Sequence, residues 1–278
     1  MNLMKRSVAA LAGAVCCLAA AACSDESTVP TPKPAAVVSQ IRYVPAEGSD
    51  EDRTLLQFLY GEERRVRLMN LLAWDAEGGI DNMIYEYAYA DGRVELGGRA
   101  APRTFLLDGE GRCTEIRDER GRTVRSLRYN SSGYYYEAPA DEGWREYEYH
   151  LIGDRCNLFR IAEYAGAEQG DARKRSEVRF EYGTQPNDVN LDLFALLTEA
   201  LHDPVLRPGC PMLMGWVGLR NGNLPSAAVR DGETVAYRYE NDAEGRPVRI
   251  EVCRRSSGAA DARIVGVWHI EYYDFYGV

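Results

Sequence analysis

The stretch Tyr85-Glu86-Tyr87-Ala88-Tyr89, followed by Asp91-Gly92-Arg93, decides the fold class of this chain. Its aromatic residues occupy every second position, and every second position of a β-strand lies on the same face. Gly92 can supply the positive φ angle that a tight hairpin needs, and Asp is a common neighbour of Gly in such turns. The stretch therefore predicts a half-buried strand that ends in a hairpin turn.

The same two features recur along the chain at unequal spacing. Aromatic residues alternate with charged ones, and glycine-arginine turns follow, in these segments: Tyr147-Glu148-Tyr149, Phe180-Glu181-Tyr182, Tyr237-Arg238-Tyr239, Gly109-Glu110-Gly111-Arg112, Arg120-Gly121-Arg122 and Ala243-Glu244-Gly245-Arg246. A solenoid would keep a constant period, so unequal hairpins indicate a meander. We predict an all-β protein in which residues 66–278 form one antiparallel meander, folded into a barrel-like or strongly curved sheet.

The charged faces of the predicted strands indicate where such a barrel lies. In residues 144–152, Glu146, Glu148 and His150 share one face, and Tyr147 and Tyr149 share the other. A strand that faces lipid needs an uninterrupted apolar face, because Arg at the bilayer midplane costs about 2–4 kcal/mol. Many predicted strands are also shorter than the roughly 9–11 residues that span a bilayer. The aromatic face is therefore expected to form the inside of a soluble barrel.

One segment is predicted to be a helix packed on the sheet, near residues 190–202. Asn190 can cap it, Asp192 suits the positive end of the helix dipole, and Pro204 ends it. An apolar stripe follows at helical spacing: Leu193, Phe194, Leu197, Ala200 and Leu201. A second, shorter helix is predicted near Thr54 to Tyr60.

The N-terminal segment has the features of a lipoprotein signal peptide, assigned to residues 1–22. Lys5 and Arg6 precede an apolar run of 15 residues, Val8 to Ala22, and small residues precede Cys23. We predict lipidation of Cys23, with simple secretion and removal of Cys23 as the alternative. Residues 23–40, with alternating prolines, are predicted to be an extended tether, and residues 41–65 an N-terminal extension. The acidic run Ser24-Asp25-Glu26 resembles the signal that exports Bacteroidetes lipoproteins to the cell surface.

Composition favours a globular protein and disfavours nucleic acid as a partner. The 278 residues are 45% hydrophobic and 27% charged, with a formal net charge of −10. A nucleic-acid-binding domain would show a basic footprint instead.

The stretch from about Leu68 to Tyr273 resembles a family of Bacteroidetes surface lipoproteins, a domain of unknown function with a porin-like fold. The most specific part runs from Phe180 to Arg249, and its hairpins are also similar to tyrosine-aspartate repeats. It contains these motifs: Phe180-Glu181-Tyr182, Gln185-Pro186-Asn187, Asn190-Leu191-Asp192-Leu193, Gly215, Gly218, Asn223-Leu224-Pro225, and Tyr237 with Tyr239 before Gly245-Arg246-Pro247. The resemblance implies a barrel-like antiparallel fold and an envelope location, and it implies no catalytic residue.

Catalytic and metal-binding patterns are lacking in the sequence. The three histidines, His150, His202 and His269, do not pair at metal-ligand spacing, and no nucleotide or hydrolase motif occurs. We therefore predict a protein that is not an enzyme and has no cofactor. An exported compartment permits disulfides, and zero to two are expected among Cys113, Cys156, Cys210 and Cys253.

Aromatic residues are the positive indication of function. The chain has 18 Tyr and 4 Trp but only 6 Phe, so most of its rings carry a polar group. Tyr135, Trp144 and Trp216 are candidate binding residues, although aromatic residues that fill a barrel would give the same composition. We predict an outer-membrane protein, anchored to the membrane through Cys23 and exposed at the cell surface, that binds a glycan, a lipid-like amphiphile or an envelope protein. A structural or adhesive module without a small ligand is the alternative, and an unrecognised hydrolase is the least favoured.

Overall fold

Sixteen β-strands form nearly all the regular structure in the computed structural model, which describes residues 36–47, 53–61, 64–75, 77–130, 135–139, 143–152, 155–166, 173–198, 206–256 and 261–273. The strands are β1 Val38–Pro45, β2 Arg53–Tyr60, β3 Val66–Trp74, β4 Ile80–Ala90, β5 Arg93–Gly98, β6 Arg103–Leu107, β7 Cys113–Arg117, β8 Thr123–Tyr129, β9 Tyr135–Pro139, β10 Trp144–Ile152, β11 Arg155–Ala165, β12 Arg173–Pro186, β13 Asn223–Arg230, β14 Glu233–Asn241, β15 Pro247–Arg255 and β16 Arg263–Tyr272. Their antiparallel order confirms the predicted all-β meander.

The meander closes into a barrel. Each strand pairs with its neighbours in sequence, and β1 pairs with β16 from Gln40 opposite Glu271 to Pro45 opposite Gly266. Closure leaves no strand edge without a hydrogen-bonded neighbour, which removes the usual aggregation hazard of a sheet.

The barrel begins earlier in the chain than predicted. Residues 41–65, expected to be an extension, contain most of β1 and all of β2, and the helix expected near Thr54 to Tyr60 is β2. The reason is alternation: Ile41 and Tyr43, then Leu56 and Phe58, bury one face of each strand. The predicted signal peptide, Cys23 and most of the predicted tether lie outside the described residues.

Six tyrosines at one end of the barrel link neighbouring strands through their hydroxyl groups, and we call them the tyrosine ring. Each lies near the end of an even-numbered strand, and its hydroxyl donates to a backbone carbonyl near the start of the preceding strand, at 2.5 to 3.0 Å. The pairs are Tyr60 with Val38, Tyr89 with Val66, Tyr129 with Cys113, Tyr182 with Leu158, Tyr239 with Pro225, and Tyr272 with Pro247. These bonds satisfy carbonyls at the strand starts, and they give six of the 18 tyrosines a structural role for the hydroxyl.

Three hairpins share a turn of sequence Asp-x-x-Gly-Arg, beginning at Asp108, Asp118 and Asp242. In each, one carboxylate oxygen accepts the backbone N–H groups two and four residues later, and the other accepts the arginine Nε. The glycines adopt φ angles of 75° to 81°, a region that side chains disfavour. Glycine-arginine turns are thereby confirmed, and an aspartate is their third component.

The described parts of the connection between β12 and β13, residues 187–198 and 206–222, fold into the barrel and are together called the plug below. It contains a 3₁₀ helix of five residues, Leu193–Leu197, whose cap is Asp192 and not the predicted Asn190. Residues 199–202 of the helix predicted near 190–202 lie outside the described residues. Thr198 is extended and its hydroxyl bonds to the carbonyl of Ala195, which ends the helix. All five helical residues are buried, because they lie inside the barrel. Within the described part of the chain, no helix is long and apolar enough to span a membrane.

A buried cluster of polar side chains around Asp192 stabilises the start of the plug helix. The Asp192 carboxylate accepts the side-chain N–H of Asn187 at 2.6 Å and the backbone N–H of Phe194 at 3.2 Å. Arg220 donates to the carbonyls of Asn187 and Leu191 at 3.3 and 3.1 Å. Asn187 and Asp192 belong to the motifs quoted for the sequence resemblance, so those motifs hold the plug in place.

Candidate functional site

The three predicted binding residues do not form one site. Trp216 belongs to the plug, with its ring 5.7 Å from Tyr87 and 5.5 Å from Phe105 between centroids. Trp144 lies on the outer face of β10, where its ring stacks on Tyr164 at 4.2 Å. Tyr135 begins β9, and the structure describes only its backbone, which pairs with β8 and β10.

A cavity of about 500 Å³ lies inside the barrel beside the plug helix, and we call it the lumenal cavity. Its volume falls within the roughly 300–1,000 Å³ of typical small-molecule sites. Leu196 and Leu197 of the plug form one side. The barrel wall supplies the apolar remainder: Tyr43, Leu71, Ala73, Ile161, Val178, Phe180, Ala228, Val235, Tyr237, Val252 and Trp268.

Two aromatic contacts stiffen this wall. Tyr43 and Trp268 meet at 4.6 Å between ring centroids. Tyr237 donates from its hydroxyl to the carbonyl of Leu197 at 3.0 Å, and burial raises its pKa well above the ordinary range. The phenol is therefore neutral, and it joins the wall to the plug.

Charged side chains line the cavity at the end of the barrel opposite the tyrosine ring; this charged mouth consists of Arg207, Arg230, Glu233 and Arg254. Arg230 and Glu233 flank a two-residue turn in which Asp231 and Gly232 have φ angles of 48° and 81°, as in a tight hairpin of the primed type. The turn thus places two opposite charges at the mouth.

Two arginines of the charged mouth, Arg254 and Arg207, take part in ion pairs. Arg254 Nε lies 2.9 Å from the Glu233 carboxylate. Arg207, from the plug, donates at 3.3 Å to Asp81 at the start of β4. These contacts orient the guanidinium groups before any ligand arrives.

The inner wall near the mouth carries further arginines. Arg103 and Arg125 pair in the sheet with Leu96 and Ile116, whose buried side chains mark the inner face. Arg145 is also on this face and donates to Glu163 at 2.7 Å. Burial disfavours the ionised form of Glu163. Hydrogen bonds from Ser176 and Arg145, together with the charge of Arg145, have a larger effect in the opposite direction, so the pKa of Glu163 is lowered. Glu163 is therefore a carboxylate at neutral pH.

A second cleft, of about 630 Å³, opens between the plug and β3 to β6 at the end that carries the tyrosine ring. Trp216 lines it together with Met214, Leu107 and Tyr89. Trp216 thus lines a cavity, whereas Trp144 lies on the outer face.

The cysteines form no disulfide in the described structure. Cys113, Cys210 and Cys253 are buried thiols and Cys156 is half-buried. Burial raises the pKa of Cys210 to about 12 and also raises that of Cys156. Such thiols are protonated at neutral pH and react slowly.

The described residues contain no group of three His, Cys, Asp or Glu side chains placed to hold a metal ion. His150 contacts Glu148 at 2.7 Å and stacks on Phe159 at 4.4 Å on the outer face of the barrel. His269 also lies in the wall, where burial and the charges of Arg42 and Arg249 lower its pKa. His202 is outside the described residues.

Sequence reasoning missed the charged mouth, although a signal exists. Arg230 lies two positions after Ala228, and Arg254 two positions after Val252, so each shares the face of a residue that lines the cavity. An arginine at an inward position near a strand end is the available indication. The contribution of Arg207 depends on the path of the plug, which no local pattern gives.

Comparison with known proteins identifies the fold. No family model matches the chain, and no curated protein matches it. The structure is similar to a porin-like protein from Bacteroides uniformis, with 14% identity, a TM-score of 0.59, and coverage of 86% of this chain and 98% of that one. It is also similar to a porin-like protein from Bacteroides vulgatus, with 14% identity, a TM-score of 0.57, and coverage of 86% and 99%. The chain therefore has a porin-like β-barrel fold.

Proposed function

We propose that this protein is a cell-envelope binding protein that holds an amphipathic small molecule in the lumenal cavity. The observation that carries the proposal is the cavity itself, which has an apolar wall and a charged mouth. Apolar pockets with a few placed polar groups are typical of small-molecule sites. Binding, without catalysis, is the activity that this arrangement supports.

The wall chemistry favours an aliphatic chain over a glycan as the ligand. Most of the apolar part of the lining is branched or small aliphatic, as in Ile161, Val178 and Val252. A sugar presents hydroxyl groups, and burying these without hydrogen-bond partners costs free energy. An acyl or other hydrocarbon chain instead gains about 0.8 kcal/mol for each buried CH₂.

The outer face of the barrel supports a location in water. On β10 to β12, Arg160 contacts Glu148 at 2.7 Å and Glu177 at 3.4 Å, and Arg179 contacts Glu177 at 2.7 Å. On β15, Arg249 contacts Glu251 at 2.7 Å. Charged pairs on the lipid face of a membrane barrel would be costly. We therefore propose a barrel attached to the outer membrane by a lipid on Cys23, with its wall in solvent.

The end at which the chain enters the barrel fits this arrangement. Ala36 forms a bridge with Val189 of the plug, and the N–H of Val38 donates to the Asn190 side chain at 2.9 Å. Ala36 thus lies at the end of the barrel opposite the charged mouth, as expected if the preceding residues lead to a lipid anchor and the mouth admits a ligand.

Lipid attachment predicts that Cys23→Ala moves the protein from the membrane fraction to the soluble fraction of its natural host. The substitution removes the sulfur to which the lipid would be joined. Cell fractionation followed by immunoblotting measures the distribution, and Cys156→Ala is the control. Unchanged membrane association of Cys23→Ala contradicts the anchor.

The binding proposal predicts that Ala73→Trp abolishes binding of decanoate, a soluble amphiphile with an aliphatic chain. Ala73 lines the lumenal cavity and is half-buried, so an indole there occupies the space of the ligand. Ala88→Trp, an exposed position on the neighbouring strand β4, is the matched control and should bind normally. Isothermal titration calorimetry measures both.

Two results contradict the proposal. Absence of decanoate binding to the unsubstituted protein would favour the structural or adhesive module. Equal binding by both tryptophan variants would place the amphiphile outside the lumen.

A further inference from the structure

We infer that the ligand of the lumenal cavity carries an anionic head group and that the charged mouth binds it. The inference rests on the proposed function and adds the chemical class of the ligand. Its basis is the side-chain chemistry of the mouth, where three guanidinium groups and one carboxylate line the same cavity.

The sign of the charge at the mouth is opposite to that of the whole chain. The protein carries a formal net charge of −10, yet arginines outnumber carboxylates among the cavity residues, with Arg207, Arg230 and Arg254 against Glu233. Arg103, Arg125 and Arg145 add three guanidinium groups to the inner wall. Two carboxylates oppose them and the mouth arginines, Glu163 paired with Arg145 and Asp81 paired with Arg207, so arginines remain in excess. A concave site lined by one sign of charge concentrates ligands of the opposite sign.

Guanidinium groups suit an oxyanion better than any other ligand chemistry. Each guanidinium group has five N–H donors and no acceptor. Two N–H groups of one guanidinium can donate side by side to two oxygens of a carboxylate, sulfate or phosphate group. An ion pair with one carboxylate, such as that of Arg254 with Glu233 at 2.9 Å, uses only part of this capacity. An arginine oriented in this way can therefore bind a second anion.

The positions of the charged and apolar side chains match an amphipathic ligand, which has one charged end and one apolar end. The arginines lie at the barrel end with the β13–β14 turn, whereas Leu196, Leu197 and Phe180 line the apolar part beside the plug. A chain inserted into the apolar part presents its head group to the mouth. A cationic head group would meet the surplus of arginines and be repelled.

The test compares ligands that share one chain and differ in head group: decanoate, decanol and decyltrimethylammonium. We expect decanoate to bind at least roughly 10-fold more tightly than decanol, and the cation to bind most weakly. Arg230→Met should weaken decanoate by roughly 10-fold and leave decanol unchanged. Arg238→Met is the matched control, because Arg238 lies on the outer face of β14 with its side chain 70% exposed.

The outcomes separate this inference from the proposed function. If decanol binds as tightly as decanoate, the lumenal binding site stands and the anionic class is wrong. If none of the three ligands binds, the proposed function itself fails. Should Arg230→Met not fold, the head-group comparison on the unsubstituted protein still decides.

Discussion

Replacing Phe194 by alanine should lower the free energy of unfolding by about 3–5 kcal/mol, the range for a buried aromatic residue. Phe194 lies in the plug helix with no exposed surface, and its ring meets Phe180 of β12 edge to face at 4.9 Å. The substitution leaves a void inside a closed barrel, whose hydrogen-bonded wall cannot collapse to fill it. Urea unfolding monitored by circular dichroism measures the change.

Phe159→Ala provides the matched control for this prediction. Phe159 is half-buried on the outer face of β11, where it stacks on His150, so its loss should cost about 1 kcal/mol. Equal effects of the two substitutions would mean that the plug contributes no more to stability than an outer-surface contact. That result would contradict the structure of the plug.

Asp192→Ala should destabilise the protein by about 3 kcal/mol, because it leaves buried donors without an acceptor. The carboxylate accepts from the Asn187 side chain and the Phe194 backbone. Asp188→Ala is the control: Asp188 pairs with Arg155 at 3.1 Å but its side chain is 64% exposed, so the loss should stay below about 1 kcal/mol. Hydrogen exchange of the plug amides should accelerate in Asp192→Ala alone.

The titration of Asp192 gives this prediction a pH dependence. Burial raises the pKa of Asp192 above the ordinary value of 3.8. The charge of Arg220 and the hydrogen bonds from Asn187 and the backbone lower this pKa, but by less than burial raises it. The folded state therefore binds the proton more tightly than the unfolded state, and the stability that Asp192 confers falls as the pH rises from about 4 through its folded pKa. Asp192→Asn has no such titration. The stability of the natural protein relative to Asp192→Asn should therefore be greater near pH 4 than near pH 7, and a difference that grows with pH would contradict the assigned burial.

Local patterns were sufficient to predict the wall of the barrel. Alternation of Tyr85, Tyr87 and Tyr89 with small or charged residues specifies a strand face, and Gly92 specifies its turn, because both effects act within a few residues. The same reasoning missed β1 and β2. In β2, Leu55-Leu56 places two apolar residues together, which hides the alternation that burial of Leu56 and Phe58 reveals.

The plug and the charged mouth were less accessible to prediction, because both depend on contacts between distant segments. The 3₁₀ helix is short because the surrounding wall, not its own periodicity, buries Leu193–Leu197. Arg207 and Arg230 line one cavity although they come from different elements, the plug and β13. Trp144, a binding candidate for its aromatic character alone, lies on the outer wall instead.

The most direct test of lumenal ligand binding is a crystal structure of the protein grown with decanoate. We expect density for the alkyl chain between Leu197 and Val178 inside the barrel, with the carboxylate within hydrogen-bond distance of Arg230 or Arg254. Decanoate bound only on the outer wall, or a lumenal cavity without density for it at saturating concentration, would contradict lumenal binding.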